Sequence, residues 1–329
     1  MSAAPILEVR NLTVSVPLRD GTRAQVIRDV SFTVDTGGTL GLVGESGSGK
    51  TMTSLAIMGL LPAAARVETG EILFCGEDIL RKSEGAMRRI RGKQMAMVLQ
   101  DPMTALDPSF TVRSQLSESL REHRGLAGTE LDTALVTSLE QVHLSAAGER
   151  LKQYPHQLSG GMRQRVVSAV ALAGGPRLLI ADEPTTALDA TTQRHFLRLL
   201  RDLQRDTGFA FLLITHDLHI VRHLCEDVVV MYASQVVEHG RVDEVFSAPQ
   251  HPYTEALLLS VPPLSGEITL ESIDGQAPDI AEHIVGCRFA PRCKFSRPLC
   301  YTAPPAATRR APHSVARCFG TEAGGWLET

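Results

Sequence analysis

Thr39-Leu40-Gly41-Leu42-Val43 runs directly into Gly44-Glu45-Ser46-Gly47-Ser48-Gly49-Lys50-Thr51, and this junction decides the fold. The five-residue apolar run reads as a short buried strand. The eight residues after it fit G-x-x-x-x-G-K-[ST], the phosphate loop. Glycines let the backbone curl so that successive N–H groups point at phosphate oxygens. A helix read over Thr51–Leu61 would present its positive N-terminal end to the same anion. Lys50 would reach the β- and γ-phosphates, and the Thr51 hydroxyl would ligate Mg²⁺. A glycine turn before an ordinary helix has a similar composition. The strand–loop–helix setting is what phosphate binding additionally requires, and it is present.

Outward from this junction, Ile6–Val16 and Val26–Val34 carry the alternation of half-buried strands. Residues 101–157 differ, with helical periodicity over Val112–His123 and Leu131–Val142 and little strand signal. Leu178–Ala181 and Phe209–Thr215 are continuous apolar runs that alternate with helical stretches at Thr191–Asp206 and Leu218–Cys225. Buried strands alternating with helices imply an α/β fold on a parallel sheet. Val228–Val237 with a turn at Gly240 reads as a terminal strand pair. From about Ser247 the composition shifts, and more than half of the 18 prolines lie beyond residue 248. The expected organisation is a nucleotide-binding domain over 1–247, with a helical subdomain at about 101–175, and a small extension over 248–329.

Composition narrows the function classes. With 329 residues, 43% hydrophobic and 21% charged, the chain can bury a substantial core. A net charge of −4 supplies no global field for gathering nucleic acid. The longest stretch without Asp, Glu, Lys or Arg, Thr51–Ala65, is too short for a membrane-spanning helix. The opening MSAAPILEVR lacks the basic and apolar regions of a secretory signal, so a cytosolic location is expected.

A second constellation supports nucleotide chemistry. Leu178-Leu179-Ile180-Ala181 ends in Asp182-Glu183, a buried strand with two carboxylates at its tip. With a phosphate loop in the same chain, Asp182 suits the Mg²⁺ shell and Glu183 suits a general base that deprotonates water. The lone asparagine, Asn11, excludes an Asn-Lys-x-Asp guanine-reading motif, so ATP is the expected nucleotide. Leu158-Ser159-Gly160-Gly161-Met162 then resembles the signature motif of ABC-type ATPases. Other positions resemble that family in order: Gln100 the Q-loop glutamine, Ala187-Leu188-Asp189 the D-loop, and His216 the switch histidine.

The resemblance implies a shared mechanism. Two nucleotide-binding domains would pair head-to-tail, each ATP lying between one phosphate loop and the partner's Ser159, Gly160 and Gly161. Glu183 would be the general base, His216 would contact the γ-phosphate, and Gln100 would touch Mg²⁺ and report occupancy to the helical region. One position departs from the family, because Val16 stands where an adenine-stacking aromatic is usual.

The strings LSGGMRQRV, IADEPTTALDATTQ, HPYTEALLLSVP and GCRFAPRC resemble the oligopeptide/dipeptide-importer branch. Met162 resembles the first of that branch's two ATPase subunits. The implied partners are two membrane permease subunits, a second related ATPase and an extracytoplasmic solute-binding protein. The implied place is the cytoplasmic face of a bacterial inner membrane. The branch also moves nickel and other small solutes, which stands as an alternative cargo. A soluble ABC ATPase acting on DNA or ribosomes is the competing class. It lacks support: the span between Thr51 and Ser159 has no room for a coiled-coil insertion, and only one phosphate loop is present.

Cys287, Cys293, Cys300 and Cys318 cluster in the extension. Four thiolates suit a [4Fe–4S] cluster or a structural Zn²⁺. The spacing lacks the tight Cys pair common in zinc sites, and the branch resemblance implies the iron–sulfur cluster. Unligated cysteines remain a third reading. Arg288, Arg292, Arg297 and Arg317 would partly offset the cluster's charge.

Overall fold

The structure is a computed structural model describing residues 4–99, 102–186, 188–260, 273–311, 314–321 and 325–327. Its strands are β1 (Pro5–Pro17), β2 (Arg23–Asp35), β3 (Thr39–Val43), β4 (Arg66–Phe74), β5 (Glu77–Asp78), β6 (Met95–Val98), β7 (Leu178–Asp182), β8 (Ala210–Thr215), β9 (Asp227–Tyr232), β10 (Gln235–Arg241), β11 (Thr308–Ala311) and β12 (Ser314–Ala316). Its helices are α1 (Lys50–Ile57), α2 (Glu84–Ile90), α3 (Pro102–Ala105), α4 (Val112–Arg124), α5 (Gly128–Gln141), α6 (Ala147–Arg150), α7 (Gly160–Leu172), α8 (Ala190–Thr207), α9 (Leu218–Leu224), α10 (Val242–Ser247), α11 (Pro252–Leu259) and α12 (Pro298–Thr302). Two compact units emerge. The first is drawn from Met1–Ile6, Val34–Thr39 and Ile79–Ile214, the second from Leu7–Thr33, Leu40–Asp78 and Thr215–Thr329.

In the first unit β6, β7 and β8 pair in parallel, with Met95 opposite Leu178 and Leu178 opposite Ala210. Every residue of β7 and β8 is buried. That is why these strands read as unbroken apolar runs: a parallel strand covered on both faces has no polar side to alternate with. Helices α4, α5 and α7 pack on one another through Leu116, Leu120, Leu131, Leu135, Leu139 and Val166, all nearly inaccessible. Helix α8 buries Phe196, Leu199, Leu200 and Leu203 along one stripe.

In the second unit β3 and β9 are parallel, with Leu40 opposite Asp227, while β10 runs antiparallel to both β9 and β12. A separate four-stranded sheet has the order β2-β1-β4-β5. Helix α1 stops at Ile57, short of the Leu61 expected from the apolar pattern. The cause is Gly59 at φ 62°. Its N–H bonds to Ala56 O and that of Leu60 to Leu55 O, the paired bonds of a left-handed C-terminal cap. The β9–β10 turn falls at Ala233-Ser234 (φ 45° and 75°), and Gly240, expected as the turn, lies inside β10. Two non-glycine residues with positive φ make a hairpin turn that carries none of the usual Asn-Gly signal.

Candidate functional site

The phosphate loop sits between β3 and α1, as strand–loop–helix chemistry requires. Gly44, Gly47 and Gly49 have φ of 150°, 78° and 99°. Space as well as backbone angle dictates two of them. A Cβ at Gly44 would stand 2.1 Å from Met231 O, and one at Gly49 would stand 2.6 Å from Val26 O. Lys50 is buried, and its Nζ donates to Gly44 O at 2.7 Å and Glu45 O at 2.9 Å. Ser46 and Gly47 are exposed. Ser48 Oγ is buried with no hydrogen-bond partner among the described residues. Thr51 is exposed in the first turn of α1. Open loop amides, an orphaned hydroxyl, a helix N-terminus and a lysine together fit a polyphosphate.

Asp182 ends β7 and is 2% exposed, whereas Glu183 is half-buried at the tip. Glu183 has φ 46°, the left-handed region that a long side chain rarely enters. Its N–H donates to Ile214 O at 2.8 Å, and Thr186 Oγ1 donates to its Oε2 at 3.0 Å. Strain of this kind concentrates where a side chain must be aimed. His216 is exposed one residue past β8, ahead of α9, whose N-terminus is capped by Asp217.

The signature residues lie at the start of α7. Ser159 is the N-cap, its Oγ accepting from Met162 N at 3.3 Å, and Ser159 and Gly160 are exposed. A Cβ at Gly161 would stand 2.5 Å from Thr192 Cγ2, so α7 and α8 approach closely there. Asp189 caps α8. Its carboxylate accepts from Thr192 N at 3.0 Å, Thr191 N at 3.1 Å and Thr192 Oγ1 at 2.7 Å. These bonds, those of Thr192 foremost, hold its carboxyl below the usual range. Gln100 and Ala187 lie outside the described residues.

Lys50 and the phosphate loop therefore belong to the second unit together with His216. Asp182, Glu183, Ser159 to Gly161 and Asp189 belong to the first.

Comparison with known proteins closes the identification. The chain is 46% identical over 316 residues to the dipeptide transport ATP-binding protein DppD of Bacillus subtilis, covering 95% of this chain and 94% of that one. It is an ATPase of the ABC transporter family. The ABC transporter family model matches residues 27–186, and the model of the oligopeptide/dipeptide transporter C-terminal region matches 237–300. Oligopeptide transport ATP-binding protein OppD of Haemophilus influenzae is 43% identical, over 92% of this chain and 94% of that protein. Among solved structures, the dimeric post-hydrolysis state of the ATP-binding cassette MJ0796, bound to ADP and phosphate, superposes with a TM-score of 0.64. That match is 25% identical and covers 72% of this chain and 98% of the other.

The extension of this ABC ATPase supplies features the motif reading did not reach. Arg292 Nη1 lies 2.9 Å from Glu45 Oε2, and Nη2 lies 3.2 Å from Oε1. Arg317 pairs with Asp29 at 2.6 Å, and Arg297 lies over the Trp326 ring at 4.5 Å. Arg292 and Arg317 thus engage the carboxylates of Glu45 and Asp29. Tyr253 Oη accepts from Glu45 N at 2.9 Å. The string HPYTEALLLSVP contained Tyr253, but a partner 208 residues away leaves no local trace.

Cys287, Cys293, Cys300 and Cys318 all line one narrow cavity together with Phe289, Phe295 and Trp326. Burial pushes the thiols of Cys287 and Cys293 up to about 11. Among the described residues no three His, Cys, Asp or Glu side chains are grouped to hold one metal ion. A single zinc needs its donors converging on one point. No such grouping supports either a zinc ion or the expected [4Fe–4S] cluster among the described residues.

Proposed function

We propose that this ABC ATPase hydrolyses ATP to power import of di- and oligopeptides through two membrane permease subunits. A second, related ATPase chain would be its partner, and an extracytoplasmic solute-binding protein would deliver the cargo. The observation that carries the reading is the match of residues 237–300 to the oligopeptide/dipeptide transporter C-terminal region. The ATPase core is common to many transporters, whereas this segment marks one branch. The relatives named for dipeptide and oligopeptide transport support it along nearly the whole chain. No helix among the described residues is long and apolar enough to cross a membrane. Attachment to the inner membrane's cytoplasmic face would therefore run through the permeases.

Within this reading residues 1–247 are the nucleotide-binding domain and 248–329 the importer-type extension. Lys50 and the loop amides hold the ATP phosphates, and Thr51, Gln100 and Asp182 would hold Mg²⁺, which supplies charge neutralisation. Glu183 takes a proton from the attacking water and His216 orients it. Ser159 and Gly160, exposed at a helix N-terminus, serve the ATP of the partner chain together with Gly161. Cys287, Cys293, Cys300 and Cys318 would hold a [4Fe–4S] cluster of structural or redox-sensing role, supported by their shared cavity.

The test is purification of the tagged full chain with its membrane complex and identification of the co-purifying subunits by mass spectrometry. Uptake of labelled peptides or of nickel by proteoliposomes of that complex follows. Peptide uptake that stops with Ser159→Arg is expected. Nickel uptake without peptide uptake, or full transport by Ser159→Arg, overturns the cargo or the composite-site reading respectively.

A further inference from the structure

We propose that Arg292 is a positioning residue for ATP. On this reading the cysteine-bearing extension is a working wall of the nucleotide site, holding the phosphate loop in its binding shape through Glu45. The inference rests on the ATPase reading above and adds to it a residue that lies outside every ATPase motif.

The contacts at Glu45 are specific. Both carboxylate oxygens meet the two terminal nitrogens of Arg292, at 2.9 and 3.2 Å, in a side-by-side pair. The Arg292 side chain is only 7% exposed and that of Glu45 28%, so water screens the pair weakly. The backbone of the same residue is held too, since Glu45 N–H donates to Tyr253 Oη at 2.9 Å. Side chain and main chain of one loop residue are thus fixed by two separate segments of the C-terminal region.

Arg292 is itself fixed. Its Nε donates to Asp274 O at 2.9 Å, and Nη1 donates to Tyr232 Oη at 3.3 Å. Tyr232 and Tyr253 pack at 4.6 Å between ring centres, and Phe289 meets their edges at 5.2 and 5.4 Å. This wedge of rings backs the arginine, so the strut cannot swing away as a surface side chain would.

The geometry connects the strut to phosphate chemistry through Lys50. Its Nζ donates to the carbonyls of Gly44 and Glu45, the loop residue that Arg292 and Tyr253 hold and its immediate neighbour. Moving Glu45 would move the platform on which the lysine rests. Charge adds a second reason. A carboxylate inside a phosphate loop repels a triphosphate, and a paired guanidinium cancels that repulsion.

The experiment measures MgATP affinity of the full chain by calorimetry, and KM and kcat of the assembled transporter, for wild type, Arg292→Ala, Arg292→Lys, Tyr253→Phe and Glu45→Gln/Arg292→Ala. Arg292→Ala is expected to weaken MgATP binding and raise KM about 10-fold, the size of a lost charge-assisted pair, with kcat kept within about twofold. Arg292→Lys should recover part of this, because one charge returns without the two-pronged geometry. Tyr253→Phe, which keeps the ring, should weaken binding about threefold. In the Glu45→Gln background, Arg292→Ala should change affinity less than about twofold, the signature of a coupled pair. Unchanged affinity in a folded Arg292→Ala chain overturns the proposal. So does a loss of the same size whether residue 45 is Glu or Gln. If Arg292→Ala does not fold, wild-type affinity in both Arg292→Lys and Tyr253→Phe overturns it. A wild-type chain that fails to bind MgATP overturns the ATPase reading itself, and the strut's role with it.

Discussion

Glu183 stands at φ 46° at the tip of a fully buried strand, with Thr186 Oγ1 on its carboxylate at 3.0 Å. A base that must meet one water molecule from one direction gains from being clamped in an uncommon backbone state. Glu183→Gln keeps the side chain's size and its contact with Thr186 but cannot take up a proton. Turnover of the assembled transporter should fall by about 100-fold or more while MgATP binding persists. Wild-type turnover would remove Glu183 from the role. The identity of this residue is legible in the sequence, because an apolar strand ending in Asp-Glu, in a chain that also carries a phosphate loop, has few other uses. Its backbone state is not legible, since nothing about glutamate announces a positive φ. Asp189 shows the same division. Its place in the motif order is visible, while its capping of α8 depends on three bonds to Thr191 and Thr192 that only the folded turn creates.

At the scale of elements, α11 owes its start to a buried polar pair. Glu238 in β10 is 0% exposed and accepts from Gln250 N at 2.7 Å and His251 N at 3.0 Å. His251 Nδ1 in turn accepts from Tyr253 N at 3.0 Å. Burial raises the Glu238 carboxyl to about 7 and lowers the His251 imidazole to about 3. The signs oppose. Glu238 ionises more easily unfolded than folded, so its contribution to stability is fully present below the unfolded carboxylate range and is lost as pH rises to about 7. His251 charges more easily unfolded, so its contribution is lost as pH falls from about 6.5 toward 3. Wild-type stability should therefore change little between about pH 4.5 and 6.5 on account of this pair. Glu238→Gln should leave a slope rising with pH across that window, read by urea denaturation at several pH values. Parallel profiles for the two proteins would show that Glu238 does not titrate there. Elements such as β3, α4 and β7 are legible because their periodicity follows directly from burial. The Ala233-Ser234 turn and the Glu238 cap are not, because each depends on partners brought in by the fold.

Across the molecule, the family is legible from six motifs in order, and the relatives bear it out. The make-up of the compact units is not legible. Each is assembled from separated stretches, which a change of composition along the chain cannot reveal. Among the described residues of the extension, the buried apolar side chains are few: Tyr253, Phe289, Ala290, Cys300 and Ala316. A bound cluster would supply what packing does not. Anaerobically purified chain should be brown with broad absorption near about 400 nm, and iron and labile sulfide should each approach about four per chain. Cys293→Ser should bleach the colour and increase proteolysis beyond residue 248. Colourless anaerobic protein with four titratable thiols would dismiss the cluster.

Glu45 and Arg292 are separated by 247 residues, which makes the order of synthesis matter. The loop leaves the ribosome long before its strut, by roughly 10–50 s at ordinary elongation rates. A half-made chain would present the whole motif and yet grip nucleotide poorly. Tight ATP capture would switch on only when Arg292 has emerged and docked, so unfinished chains would neither sequester nucleotide nor compete with mature copies for the permeases.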